Sequence, residues 1–176
     1  WRFNAKGECT DIPADPKELT CKRNLKTYPV IEKFGLVFLN NSRRPLFELP
    51  MFDDFKDKMV IASQPFRIKQ DAPWYVVTAN AFDLPHFIHV HNRIPTKDPV
   101  IKNLGQNAKY IKIDYRIKRS TVLSDKVLSF LFGGNGSLEF TVYQSNYILA
   151  KTKFGKFKNH MLIVLSPLKE SKSLST

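Results

Sequence analysis

No stretch of this 176-residue sequence approaches the ~20 consecutive apolar residues of a membrane-crossing helix, so a helical membrane span is excluded. The N-terminus lacks the basic, apolar and small-residue succession of a secretory signal. Cysteine is scarce: Cys9 and Cys21 can neither build a disulfide scaffold nor supply all four ligands of a metal centre. A glycine-rich phosphate loop, a Gly-x-Ser-x-Gly elbow and a zinc knuckle are all missing, which removes the commonest signatures of nucleotide binding, serine hydrolysis and small zinc folds. Internal repeats and low-complexity tracts are missing too.

Acid is also in short supply. Sixteen acidic side chains face 28 basic ones, a net charge of +12. The excess is lopsided: residues 1–90 carry 13 basic and 11 acidic side chains, residues 91–176 carry 15 and 5. A basic surface suits nucleic acid, an anionic membrane or an acidic protein, yet charge constrains solubility and association rather than fold. A single-strand nucleic-acid platform would interleave aromatics and lysines on one face. Here Tyr115 and Lys112 fall on opposite faces of the same segment, which argues against nucleic acid.

What is present suits a packed globular chain. Hydrophobic residues make up 43%, including 14 Phe, 6 Tyr and 2 Trp, ample surface to bury. The opening at Trp1 rather than Met fits processing or a piece of a longer chain.

The local pattern predicts a mostly antiparallel sheet with a few helices, an α+β chain. Asn4 to Gly7 reads as a turn between short strands, and Phe34 to Leu39 as a buried strand. Asn40 to Pro45 is the linker candidate, with a domain boundary near residue 46. Phe52 to Met59 reads as a short helix, Trp74 to Thr78 as a strand and Asn80 to Val90 as a helix. Tyr110 to Lys118 alternates Ile111, Ile113, Tyr115 and Ile117 with polar residues, which is period two. Leu123 to Phe132 reads as an amphipathic helix closed by Gly133-Gly134. Leu138 to Leu149 and Met161 to Leu165 read as strands, with turns at 133–136 and 152–159.

One cluster carries chemistry. Of four histidines, His86, His89 and His91 fall within six residues, with Asn80 and Asp83 just before them. Neutral imidazole is the commonest protein metal ligand. On an ideal helix His86 and His89 lie about 60° apart and His86 and His91 about 140° apart, so spacing alone favours the first pair. A helix that ends before His91 would free the second. Asp83, one turn before His86, can orient an imidazole or bind a metal itself.

Asn-x-x-Asp-x-x-His-x-x-x-x-His, here Asn80, Asp83, His86 and His91, resembles the mononuclear iron motif of the Rieske non-haem iron oxygenases. Trp1-Arg2-Phe3, Gly7-Glu8-Cys9-Thr10 and Ile12-Pro13 resemble the stretch after that family's second cluster-ligand pair. Tyr28 to Glu32 and Gly35 to Phe38 resemble the last strands of its Rieske domain, and Leu165 to Leu168 a strand end in its catalytic domain. The resemblance implies the end of a β-rich Rieske domain over 1–45. Over 46–176 it implies the front of a helix-grip (START/Bet v 1-like) antiparallel-sheet catalytic domain. His86 and His91 would hold Fe(II) in a 2-His-1-carboxylate triad, which means the helix must break near Val90. Asp83 would be the carboxylate that bridges electron transfer to a neighbouring subunit, Asn80 would lie near the iron, and His89 has no implied role. The third ligand would lie beyond Thr176 and the [2Fe–2S] ligands before Trp1; Asp98, Asp114 and Asp125 sit in the wrong place for the former.

The implied activity is O₂-dependent hydroxylation, demethylation or desaturation of an apolar aromatic or steroid-like substrate, by a mono- or dioxygenase that this fragment alone would not complete. A ferredoxin or flavin reductase as electron donor, a homotrimer and a cytoplasmic location are implied with it. The alternative is a helix-grip domain that binds an apolar ligand without turnover.

Overall fold

The computed structural model describes residues 1–14, 24–41, 44–45, 48–55, 63–118, 122–169 and 172–175, with the backbone alone at 55, 128, 132, 169 and 172–175. It divides into two compact units, one of residues 1–48 with 62–64 and one of residues 49–61 with 65–176.

The first unit holds two small hairpins. β1 (Arg2–Phe3) pairs with β2 (Cys9–Asp11) across the expected turn, where Asn4 Oδ1 accepts from the backbone N–H groups of Lys6 and Glu8. Cys9 is disulfide-bonded. β3 (Val30–Lys33) and β4 (Leu36–Leu39) form the second hairpin around Phe34-Gly35, both at positive φ. The strand expected from the apolar run is β4, begun after the turn at Phe34-Gly35, but it is not buried: Val37 and Leu39 are exposed. Of the linker candidate, residues 42–43 lie outside the described residues.

The second unit is built on one antiparallel sheet. Its strands are β5 (Ile68–Gln70), β6 (Arg93–Pro95), β7 (Val100–Leu104), β8 (Ala108–Ile117), β9 (Asn135–Tyr143), β10 (Tyr147–Phe154), β11 (Phe157–Lys169) and β12 (Lys172–Ser175). The order is β5-β12-β11-β10-β9-β8-β6, with β7 pairing further along the same edge of β8. β8 fulfils the period-two expectation: Ile111, Ile113, Tyr115 and Ile117 are buried, and with Phe87 they form one core cluster. A second cluster gathers Ala81, Val142, Ile148 and Leu165.

Three local expectations fail, each for a physical reason. Trp74 to Ala79 is a helix, α1, not a strand. β-branched propensity is weak against packing, and here the Thr78 hydroxyl donates to the Ser145 carbonyl while Trp74 and Val77 pack on the second core cluster. Leu138 to Leu149 is two strands, because Gln144 and Ser145 both take positive φ and turn the chain without the usual glycine. Asn80 to Val90 is a 3₁₀ turn (Asn80–Phe82), an extended Asp83 and then α2 (Leu84–His89). The helix expected at 52–59 is described only as a 3₁₀ turn at Asp53–Phe55; residues 56–59 lie outside the described residues.

α3 (Leu123–Phe132) ends at Gly133 in the left-handed conformation, as expected. Among its described side chains, Asp125 is buried, whereas Leu123, Val127, Phe130 and Leu131 are exposed.

Candidate metal and cavity site

Asp83 starts α2. Its extended backbone places the carboxylate over the first turn, where Oδ1 accepts from the His86 backbone N–H at 3.1 Å. Pro85 falls in that first turn, where a missing N–H costs nothing. The cap fixes the rotation of α2 and therefore the direction of His86.

The helix ends at His89, with Val90 as its cap. Asn92 then turns at φ 54°, its carbonyl accepts from the Lys118 N–H, and Arg93 begins β6 opposite Ile117. His91 therefore leaves helical geometry and swings back toward His86. Their Nε2 atoms lie 3.2 Å apart and their rings meet edge to face. Two nitrogens each about 2.1 Å from one cation and 3.2 Å apart subtend about 100° there. That is an acceptable angle between neighbouring ligands, so the pair fits a shared metal ion. Burial, then the nearby His86 and Arg93 charges, pushes the His91 imidazole below its usual value, toward the neutral form that ligates.

Both histidines line a cavity of about 440 Å³ between the helices and the inner face of the sheet. Val77, Ala81, Phe87, Leu138, Phe140, Ile148, Phe154 and Ile163 give it apolar walls. Asn80, Arg93, Tyr115 and Thr152 add polar groups. The structure thus brings Asn80, His86 and His91 to one cavity. Asp83 is exposed and outside its lining; His89 is also exposed and outside it, so the pair favoured by helical spacing is not the pair that meets. Among the described residues, no group of three or more His, Cys, Asp or Glu converges on a metal site. Asp114 instead pairs with Lys97 at 2.8 Å.

The sequence did not single out Arg93. Its Nη2 meets Asp125 Oδ1 on α3 at 2.7 Å, and its Cζ lies 5.8 Å from the centre of the Tyr115 ring. Arg93 faces the cavity through its register with Ile117, a relation between residues 24 positions apart that no local pattern carries.

No protein-family model matches the chain, and no curated protein matches it. Solved structures do. Dicamba monooxygenase bound to dicamba is 14% identical, with a TM-score of 0.60 over 98% of this chain and 55% of its own. The same enzyme with non-heme iron and dicamba is 17% identical, with a TM-score of 0.60, over 98% of this chain and 54% of its own. The Pseudomonas putida CBB5 NdmA QL mutant with theobromine is 17% identical, with a TM-score of 0.63 over 99% of this chain and 50% of its own. The chain spans about half the length of these structures, and what it shares with them is the fold of that part of a Rieske-type oxygenase chain.

Proposed function

We propose that this chain is part of an oxygenase in which His86 and His91 hold a mononuclear Fe(II) at the end of an apolar substrate cavity. The observation that carries the proposal is the 3.2 Å convergence of the two Nε2 atoms at a cavity of about 440 Å³. Support comes from the fold shared with oxygenase structures, one of them a complex with non-heme iron. The ion, when bound, supplies O₂ activation. The chain itself supplies two imidazoles, an Asn80 side chain at the same cavity and apolar walls for an apolar substrate. Dicamba, theobromine and caffeine in the neighbouring structures are small ring compounds. A ring compound that is hydroxylated, demethylated or desaturated is proposed here too.

Residues 1–45 are assigned to the end of a Rieske-type domain and 46–176 to the front of a helix-grip catalytic domain. The third, carboxylate ligand and the [2Fe–2S] cluster belong, on this proposal, to the half of the oxygenase fold that these residues do not span. Exposed Asp83, tied to the His86 backbone, is the proposed bridge for electrons arriving from a partner subunit of a homotrimer. A ferredoxin or flavin reductase is the proposed donor, for which the basic half of the chain offers a complementary surface. A cytoplasmic location goes with that donor.

Iron content after anaerobic loading tests the proposal: His86→Ala and His91→Ala should each lose most of the metal, and full retention in both overturns it. The alternative is an apolar-ligand cavity without turnover, which the same apolar walls would serve. Ligand binding that neither iron nor either histidine affects would favour that alternative.

A further inference from the structure

We propose that α3 docks this chain on an anionic membrane surface, with Leu123, Val127, Phe130 and Leu131 inserted among the lipids. The use of such docking rests on the apolar-substrate cavity proposed above, since a compound that suits those walls also partitions into lipid; the docking itself does not.

At about 100° per residue, Leu123, Val127, Phe130 and Leu131 share an arc of about 100° on α3. All four are exposed, Phe130 to 89%. Asp125 lies on the opposite side and is buried, and its pair with Arg93 at 2.7 Å fixes which face turns outward. An apolar helix stripe ordinarily faces the core of a globular domain. On α3 it faces out, with a basic rim, which is the arrangement of a helix lying in a membrane interface.

The surroundings favour lipid over protein. Residues 116–138 hold four basic side chains, Arg116, Lys118, Arg119 and Lys126, and one acid, Asp125, which Arg93 neutralises. Exposed Lys126 borders the stripe on the helix itself. Arg116 and Lys118 are exposed beside the helix end, where the Ile117 N–H donates to the Gly134 carbonyl at 2.8 Å. Cations around inserted apolar groups add attraction to anionic headgroups. A second copy would instead bring the same cations together. The four side chains expose on the order of 500 Å², short of the roughly 800 Å² per partner of a standard protein interface. Asp125 also ties α3 to Arg93 in the cavity wall, so a docked α3 holds the cavity close to the lipid.

Vesicle flotation of the 176-residue chain tests this. Vesicles of phosphatidylcholine with about a third phosphatidylserine should bind it about tenfold more tightly than pure phosphatidylcholine, and added salt should narrow the gap. Phe130→Ser/Leu131→Ser changes only exposed side chains and should abolish binding to both vesicles. Lys126→Glu should reduce the preference for phosphatidylserine. Phe130→Trp should shift its emission to the blue on the mixed vesicles. No binding to either vesicle, or undiminished binding by the double serine variant, overturns the proposal. So does a dimer in sedimentation that the serine variant dissolves, which would assign the stripe to a second copy. In any longer chain that contains these residues, the same serine variant should again lose vesicle binding; a longer chain that stays off the vesicles overturns the proposal, the stripe then being covered by the rest of its fold. Iron content is read separately: vesicle binding without iron retention sinks only the metal site, and iron retention without vesicle binding sinks only this inference.

Discussion

Gly136 stands opposite Tyr115 across β8 and β9, and a Cβ built on it would come within 2.9 Å of the Tyr115 Cζ and hydroxyl oxygen and of Phe154 Cε1. The glycine is needed for space: its backbone leaves room for two rings that line the cavity. Gly136→Ala should therefore destabilise the second unit by about 1–3 kcal/mol through overpacking. Combining it with Tyr115→Leu should recover part of that loss. Denaturant midpoints of the two variants check this, and an unchanged midpoint for Gly136→Ala refutes it.

Asp83 can be split into its two roles. Asp83→Ala removes the acceptor for the His86 N–H and should cost about 1 kcal/mol, whereas Asp83→Asn, an equally good cap, should cost only a few tenths. Chemical denaturation measures both. Equal losses in the two variants would show that the carboxylate's charge, not the cap, stabilises α2.

Asp54 gives the clearest pH dependence. Its carboxylate meets Lys151 at 3.0 Å, His160 at 3.3 Å and Lys158 at 3.4 Å. The Lys151 hydrogen bond, against opposing burial, lowers its pKa to about 2. A depressed folded-state pKa stabilises above the unfolded value near 4 and is lost as pH falls toward 2. Asp54→Asn should be less stable than the parent by on the order of 1 kcal/mol at pH 6, allowing for solvent screening. That gap should close between about pH 4 and pH 2. Acid-unfolding curves of the two proteins decide it; a gap independent of pH rules out the charge mechanism.

The Arg93–Asp125 pair should be strongly non-additive. Arg93→Met alone leaves a buried carboxylate without its cation and should cost about 3–5 kcal/mol, whereas Arg93→Met/Asp125→Leu should be much milder. A double-mutant cycle on urea midpoints checks this. Additive losses would mean that the two groups do not act as a pair.

Some of this was readable from local sequence because its physics is local. The alternation of Ile111, Ile113, Tyr115 and Ile117 fixes one buried face of a strand whatever its neighbours are. Gly133 closes α3 because a left-handed residue can end a helix there. Asn80, His86 and His91 were legible as a set, although helical spacing pointed to His89. Only the tertiary structure decided between them, since the turn at Asn92 exists because the chain must leave α2 and pair β6 with the end of β8. The same holds for Trp74 to Ala79, whose strand-like composition yields to packing on the sheet. Arg93, Asp125, Tyr115 and Gly136 come from four separate elements, and strand register and the docking of α3 bring them together. Composition and period therefore determined the α+β class and the histidine cluster, because capping, turns and burial of one face are short-range effects. The cavity, the histidine pair that meets and the arginine in its wall were decided by tertiary structure, because they arise from pairings between residues far apart in the chain.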